Sequence, residues 1–206
     1  MKHRACLVTA TAAAVALFGT SVRAQNLVGN GDFDTHVLGW TPFAISFEWD
    51  SEDHLQSPMS GSLKATNANP GVTTSGLFAC VNGLVAGQSY DLRGWSWIPP
   101  GQIGHGAVGF GVYWYDSTDC LGTLLAPPDT TPLIQVADGW ISLARFGLVA
   151  PSAAQSGQVT IFNTKYSLGT DPFVAHYDAV FLGVIGGIFT DGFESGATGL
   201  WSSTVP

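Results

Sequence analysis

Positive charge is what this chain has least of: its 206 residues carry 7 Lys and Arg against 15 Asp and Glu. A surface so poor in cations is repelled by nucleic acid and by anionic membrane surfaces. It also has few groups with which to grip phosphate or acidic polysaccharide, so a neutral ligand suits it better. Straight-chain helix formers are scarce too, with only 2 Met in the chain, and helical periodicity is nearly missing. The four histidines after the first stretch (His36, His54, His105 and His176) form neither HExxH nor an i, i+4 pair, which argues against a zinc site. No GxSxG occurs, and no lone cysteine stands ready as a nucleophile. Gly104-His-Gly-Ala-Val-Gly109 matches GxGxxG formally. It follows Pro-Pro-Gly and leads into a strand pattern, so a phosphate cradle at a helix start is not built. Nothing here composes an active site, and the expectation is a protein that is not an enzyme.

Long apolar runs are also missing, except at the start. Lys2, His3 and Arg4 precede an uncharged, Ala-rich stretch from Ala5 to Gly19, and Val22 and Ala24 lie three and one positions before a cut ahead of Gln25. These are the three regions of a secretory signal peptide over residues 1–24. The apolar stretch is too short to span a bilayer, which takes about 20 residues. A short buried helix is the other reading, and it accounts for less of the pattern. Export then leaves 182 of the 206 residues, with four basic side chains against fifteen acidic ones and a net charge of −11. That is one domain of ordinary size, acting as a monomer. The destination is secreted: extracellular, periplasmic or cell-surface. Of the 3 cysteines, Cys80 and Cys120 remain. In an oxidising compartment they suggest one disulfide; two buried free thiols are the alternative.

What the sequence does have is Gly, Thr, Ser, Val and aromatics in short alternating runs between turn residues, the pattern of a sandwich or barrel. In Tyr90–Ile98 one face carries Tyr90, Leu92, Gly94, Ser96 and Ile98, and the other Asp91, Arg93, Trp95 and Trp97. In 107–116, Val108, Phe110, Val112 and Trp114 oppose Gly109, Gly111, Tyr113 and Tyr115. Further strands are expected near 42–49, 61–67, 75–82, 139–148, 157–164 and 175–184. Residues 121–137, with Pro127, Pro128 and Pro132, read as a surface loop. The domain runs over 25–187. After Gly186-Gly187 comes a different tail, 188–206, with Phe189-Thr-Asp-Gly-Phe-Glu-Ser-Gly196 and then Trp201-Ser. It resembles endings found on secreted bacterial proteins, with a possible sorting or processing role.

The order of motifs resembles carbohydrate-binding module families 4 and 9 and the wider galactose-binding-like jelly rolls. Four pieces carry the likeness: Leu27-Val-Gly-Asn-Gly-Asp-Phe-Asp34 with Gly39-Trp40; Ser60-Gly-Ser-Leu-Lys-Ala-Thr66; Gly87-Gln-Ser-Tyr-Asp-Leu-Arg-Gly-Trp95; and Trp140 to Phe162 closing with His176-Tyr-Asp-Ala-Val-Phe181. The resemblance implies an all-β antiparallel sandwich of jelly-roll type, with the opening motif as its first strand. It implies a neutral polysaccharide or oligosaccharide as partner. Cys80 and Cys120 resemble a pair found in some bacterial members. A structural calcium is also implied, held by Asp34, Asp178 and a backbone oxygen near Lys64, although Asp34 stands where Glu is usual and Ala179 replaces a second acid.

Sugars offer apolar C–H faces to aromatic rings and hydroxyls to polar groups. The ligand-binding candidates are therefore Trp95 and Trp97 with Arg93, and Tyr113 and Tyr115, whose neighbouring glycines would leave room for a ligand. If their strands are neighbours, these side chains line one groove. The acidic run Glu48-Trp-Asp-Ser-Glu-Asp53 could supply paired carboxylates for glycoside hydrolysis, but reads better as a solvated loop whose Trp49 stacks at the groove's edge. The other use of such a scaffold is structural or adhesive, with protein contacts and no sugar.

Overall fold

The computed structural model describes residues 25–135 and 139–184; the leader and the 188–206 tail lie outside them. Ten strands are present among these residues: β1 (Thr41–Phe43), β2 (Ser46–Asp50), β3 (Ser62–Asn67), β4 (Thr73–Asn82), β5 (Ser89–Trp97), β6 (Gly106–Tyr115), β7 (Asp129–Thr130), β8 (Ile141–Val149), β9 (Ser156–Lys165) and β10 (Phe173–Gly183). They form two antiparallel sheets, β1-β4-β9-β6-β7 (sheet A) and β2-β3-β10-β5-β8 (sheet B). From β3 to β6 each successive strand changes sheet, and from β7 to β10 likewise. The all-β sandwich expected from the alternation is what the chain adopts.

Alternation places the core. Leu63 and Ala65 on β3, Leu92 on β5, Val108, Phe110, Val112 and Trp114 on β6, Val159 and Ile161 on β9, and Tyr177 and Leu182 on β10 fill the space between the sheets. Gly94 is required there, because a Cβ on it would lie 2.6 Å from the Phe110 ring of the facing sheet. At about 25 cal/mol per Å² of apolar surface removed from water, burying one such aliphatic or aromatic side chain contributes roughly 1.5–3 kcal/mol.

Three departures from the sequence reading matter. The 42–49 strand is two strands in different sheets, broken at Ala44, whose φ of 54° turns the chain from sheet A to sheet B. The opening motif is not a strand: 25–34 is irregular, pinned along β10 by Leu27 N–H to Leu182 O (2.8 Å) and Val180 N–H to Gly31 O (2.9 Å). The 121–137 loop lies against β6 rather than free in solvent, contributing β7 and a bridge between Ile134 and Val108. Cys80 and Cys120 form a disulfide that ties β4 to the loop after β6, across the intervening β9.

Candidate functional site

The outer face of sheet B holds most of the candidate chemistry, and strand register explains why. Trp97 is paired with His176, His176 with Lys64, and Lys64 with Glu48, so these four side chains form one row across β5, β10, β3 and β2. Trp140, just before β8, continues that row, its ring 6.1 Å from that of Trp97. In the next row Asp178 is opposite Trp95, which in turn is opposite Ser142. A β-bulge between Asp178 and Phe181, with Ala179 at φ 46°, inserts one extra residue in β10. Three residues then separate two side chains that both face outward: Asp178 beside Trp95, and Phe181 beside Arg93, whose guanidinium carbon lies 4.2 Å from the Phe181 ring centre. Contacts of this kind are worth about 0.5–1 kcal/mol at exposed sites.

The loop between β2 and β3 folds back over this face. The His54 main-chain N–H and Nδ1 both reach Asp178 Oδ2, at 3.2 and 2.8 Å, and its ring stacks on Trp95 at 5.2 Å between centroids and 28° between planes. Asp53 closes the turn, accepting from the Leu55 N–H (2.9 Å) and the Ser57 N–H (2.7 Å). The loop separates two recesses. One, of about 420 Å³, lies against Trp97 and Trp140 with Glu52 and Gln56 at its loop side. The other, of about 510 Å³, lies against Trp95, Arg93 and Phe181 with Asn26 and Asp32.

Beside the loop a third recess of about 250 Å³ gathers Asp32, Asp34, Asp53, His54 and Asp178. Burial pushes the Asp178 carboxyl up to about 6, against the opposing His54 and Ala179 donors. Desolvation, then the neighbouring Asp34 charge, raises Asp32. Burial acts to raise Asp53 as well, but the Ser57 and Leu55 N–H groups hold it below the usual carboxylate value. Clustered carboxylates with serine hydroxyls are a hard, oxygen-rich donor set of the kind Ca²⁺ takes. Two of the three residues expected to hold calcium, Asp34 and Asp178, line this recess. Lys64 does not: its main chain is enclosed between β2 and β10, and its Nζ bonds Glu48 Oε1 at 2.8 Å on the sheet face. Asp32 and Asp53 stand in its place.

Of the expected ligand-binding residues, Trp95, Trp97 and Arg93 share the outer face of sheet B. Tyr113 and Tyr115 do not join them, because β6 belongs to sheet A and faces β5 through the core instead of flanking it. The room above their glycines is filled by protein: a Cβ on Gly109 would meet Leu133 at 2.7 Å, and one on Gly111 the Phe162 ring at 2.6 Å. Trp49 points away from Glu48 and Asp50, its Nε1–H donating to Phe33 O at 2.8 Å and its ring lying over Gly61. Trp140, His54 and His176 were not singled out from sequence. Trp140 precedes its strand by one residue, outside any alternating run, and His54 sits in an acidic stretch that reads as solvated. His176, though inside a motif, carries no sign that it faces Trp97.

No protein-family model matches the sequence, and no curated protein is a significant sequence match. Among solved structures, a xylan-binding domain of carbohydrate-binding module family 22 superposes with a TM-score of 0.55 at 17% identity, over 78% of this chain and 96% of that one. A sugar-binding protein of Bacteroides thetaiotaomicron, described as putative, gives 0.52 at 12% identity, over 77% and 99%. The enzymatically active domain of tailspike protein 4 of bacteriophage CBA120 gives 0.58 at 15% identity. This chain covers 78% of its own length but 21% of the tailspike, and 29% of a Clostridium thermocellum xylanase chain that carries a family 22 module. At such identities the likeness is one of fold. The chain has the β-sandwich fold of carbohydrate-binding modules.

Proposed function

We propose that this protein is a secreted, non-catalytic module that binds a neutral glycan by aromatic stacking on the outer face of sheet B. The observation that carries the reading is the half-buried pair Trp97 and Trp140, tilted 42° to one another above a recess whose loop side offers Glu52 and Gln56. Apolar faces at an angle, with hydrogen-bonding groups at one side, complement a pyranose ring. The fold shared with sugar-binding modules supports it, as do the scarcity of cations and a disulfide suited to an oxidising compartment.

Calcium belongs to the same proposal. Asp34 and Asp178, with Asp32 and Asp53, would hold it, and it would neutralise carboxylates that now raise one another's protonation. The loop carrying His54 would then be fastened to β10 by the ion as well as by hydrogen bonds.

The test is a glycan array with the purified domain, followed by retention on the best ligand. Trp97→Ala and Trp140→Ala should each lose at least about tenfold in affinity while unfolding at wild-type denaturant concentration within experimental error. An array without hits would turn the reading to the structural or adhesive alternative, and turnover of a bound glycan would refute the non-catalytic part.

A further inference from the structure

A polysaccharide lying lengthwise on a sheet face needs an uninterrupted trough. Here the aromatic side chains that could floor one, Trp140, Trp97 and Trp95, are interrupted by the β2–β3 loop. The His54 ring covers one face of Trp95 at 5.2 Å and stands edge-on to Trp140 at 6.4 Å. This partition is fastened into the sheet. Two His54 donors bond Asp178, which is 1% exposed and anchored in turn by the Ala179 N–H at 2.7 Å. The recesses on its two sides share no lining residue and differ in chemistry, aromatic with Glu52 and Gln56 on one, Arg93 with Phe181 on the other.

We propose, building on the glycan-binding reading above, that the Trp97–Trp140 recess is a chain-end site and that His54 is the residue that makes it one. The recess is walled by Glu52, Asp53 and Gln56 on the loop side and bounded by Pro100 and Gly139. Its volume of about 420 Å³ is near the lower end of small-molecule pockets, about 300–1,000 Å³, and suits about two sugar units. A terminal unit enters and stacks on Trp97 and Trp140, while an internal stretch of polymer would have to pass through His54. Trp95, with one face already covered, sits beside the partition and is not the main stacking surface. The ligand class is therefore short oligosaccharides and the ends of chains.

The test is calorimetric titration of the full domain with oligosaccharides of increasing length, built from the sugar that the array identifies. Affinity should stop rising after about two units, and binding capacity per mass of polymer should double when its mean length is halved. His54→Ala should extend the length dependence, longer oligosaccharides binding at least about fivefold tighter than to wild type while the disaccharide is unchanged. A wild-type affinity that keeps rising through six units, with capacity indifferent to the number of ends, would overturn the chain-end assignment and leave glycan binding standing. No binding at any length would overturn the glycan-binding reading and this assignment with it. The wild-type series decides between these outcomes without needing the variant to fold.

Discussion

The imidazole of His176 packs 5.0 Å from the ring of Trp97 and is 4% exposed, with Ser62 Oγ at 3.2 Å from its Nδ1. Burial lowers its pKa from 6.5 to about 4. Above pH 6.5 both folded and unfolded chains carry a neutral His176, and it adds no pH dependence. As the pH falls from 6.5 toward 4, the unfolded chain takes up a proton that the folded one refuses, so stability is lost in that window. Asp178 opposes this, because its raised value lets the folded state gain a proton first as the pH falls below about 6. His176→Asn should therefore lose less stability than wild type between pH 7 and pH 4.5, by about 2–3 kcal/mol. Urea midpoints at the two pH values measure it, and equal slopes for both proteins would contradict the burial of a neutral imidazole.

Calcium binding is checked by melting the domain with and without a chelator. At a hundredfold excess over its dissociation constant, an ion bound only to the folded state adds about 2.7 kcal/mol, or roughly 5–10 °C in a domain of this size. EDTA should remove that increment. Asp34→Asn and Asp178→Asn should abolish the response, and elemental analysis should find less than one calcium per chain. A melting curve that ignores EDTA, with no calcium by elemental analysis, would leave the acid recess a hydrogen-bonded turn only.

The Cys80–Cys120 bridge closes a loop of 40 residues. In the chain-entropy account such a loop is worth about 3–4 kcal/mol. The double variant Cys80→Ser, Cys120→Ser should be destabilised by that amount in chemical denaturation. It should bind its glycan with wild-type affinity, because the bridge is on sheet A and the binding face is on sheet B. A loss of affinity in a folded double variant would show that the sheets are coupled.

Thr160 is 1% exposed, opposite Gly111 and Phe78 on sheet A, and its hydroxyl has no hydrogen-bond partner. A buried hydroxyl left unpaired costs roughly 1–3 kcal/mol, and valine has nearly the same shape without it. Thr160→Val should raise stability by about 1 kcal/mol, read from the denaturation midpoint. A destabilised variant would mean that the hydroxyl is satisfied in solution.

Much of this fold was legible because sandwich strands advertise themselves by alternation. The two faces of Tyr90–Ile98 and the buried row Val108, Phe110, Val112 and Trp114 are as the pattern implies. What alternation does not encode is which sheet a strand joins. Tyr113 and Tyr115 follow Trp95 and Trp97 closely in sequence, yet the crossover after β5 carries them to the opposite side of the molecule. Ala44 has no composition that marks a left-handed corner, so the β1–β2 break was hidden. His54 was hidden for a different reason: its role comes from reaching Asp178, 124 residues away. Local pattern carries no information at that range.

The bulge in β10 makes the binding face depend on chain length as much as on residue type. Excise one residue between Asp178 and Phe181 and the strand becomes regular: Phe181 turns into the core and Leu182 out to water. Arg93 would lose the ring beneath it, and the segment pinned at Val180 and Leu182 would lose its register. Along this stretch an exchange of side chains is a smaller hereditary step than a lost codon, which would invert everything after it.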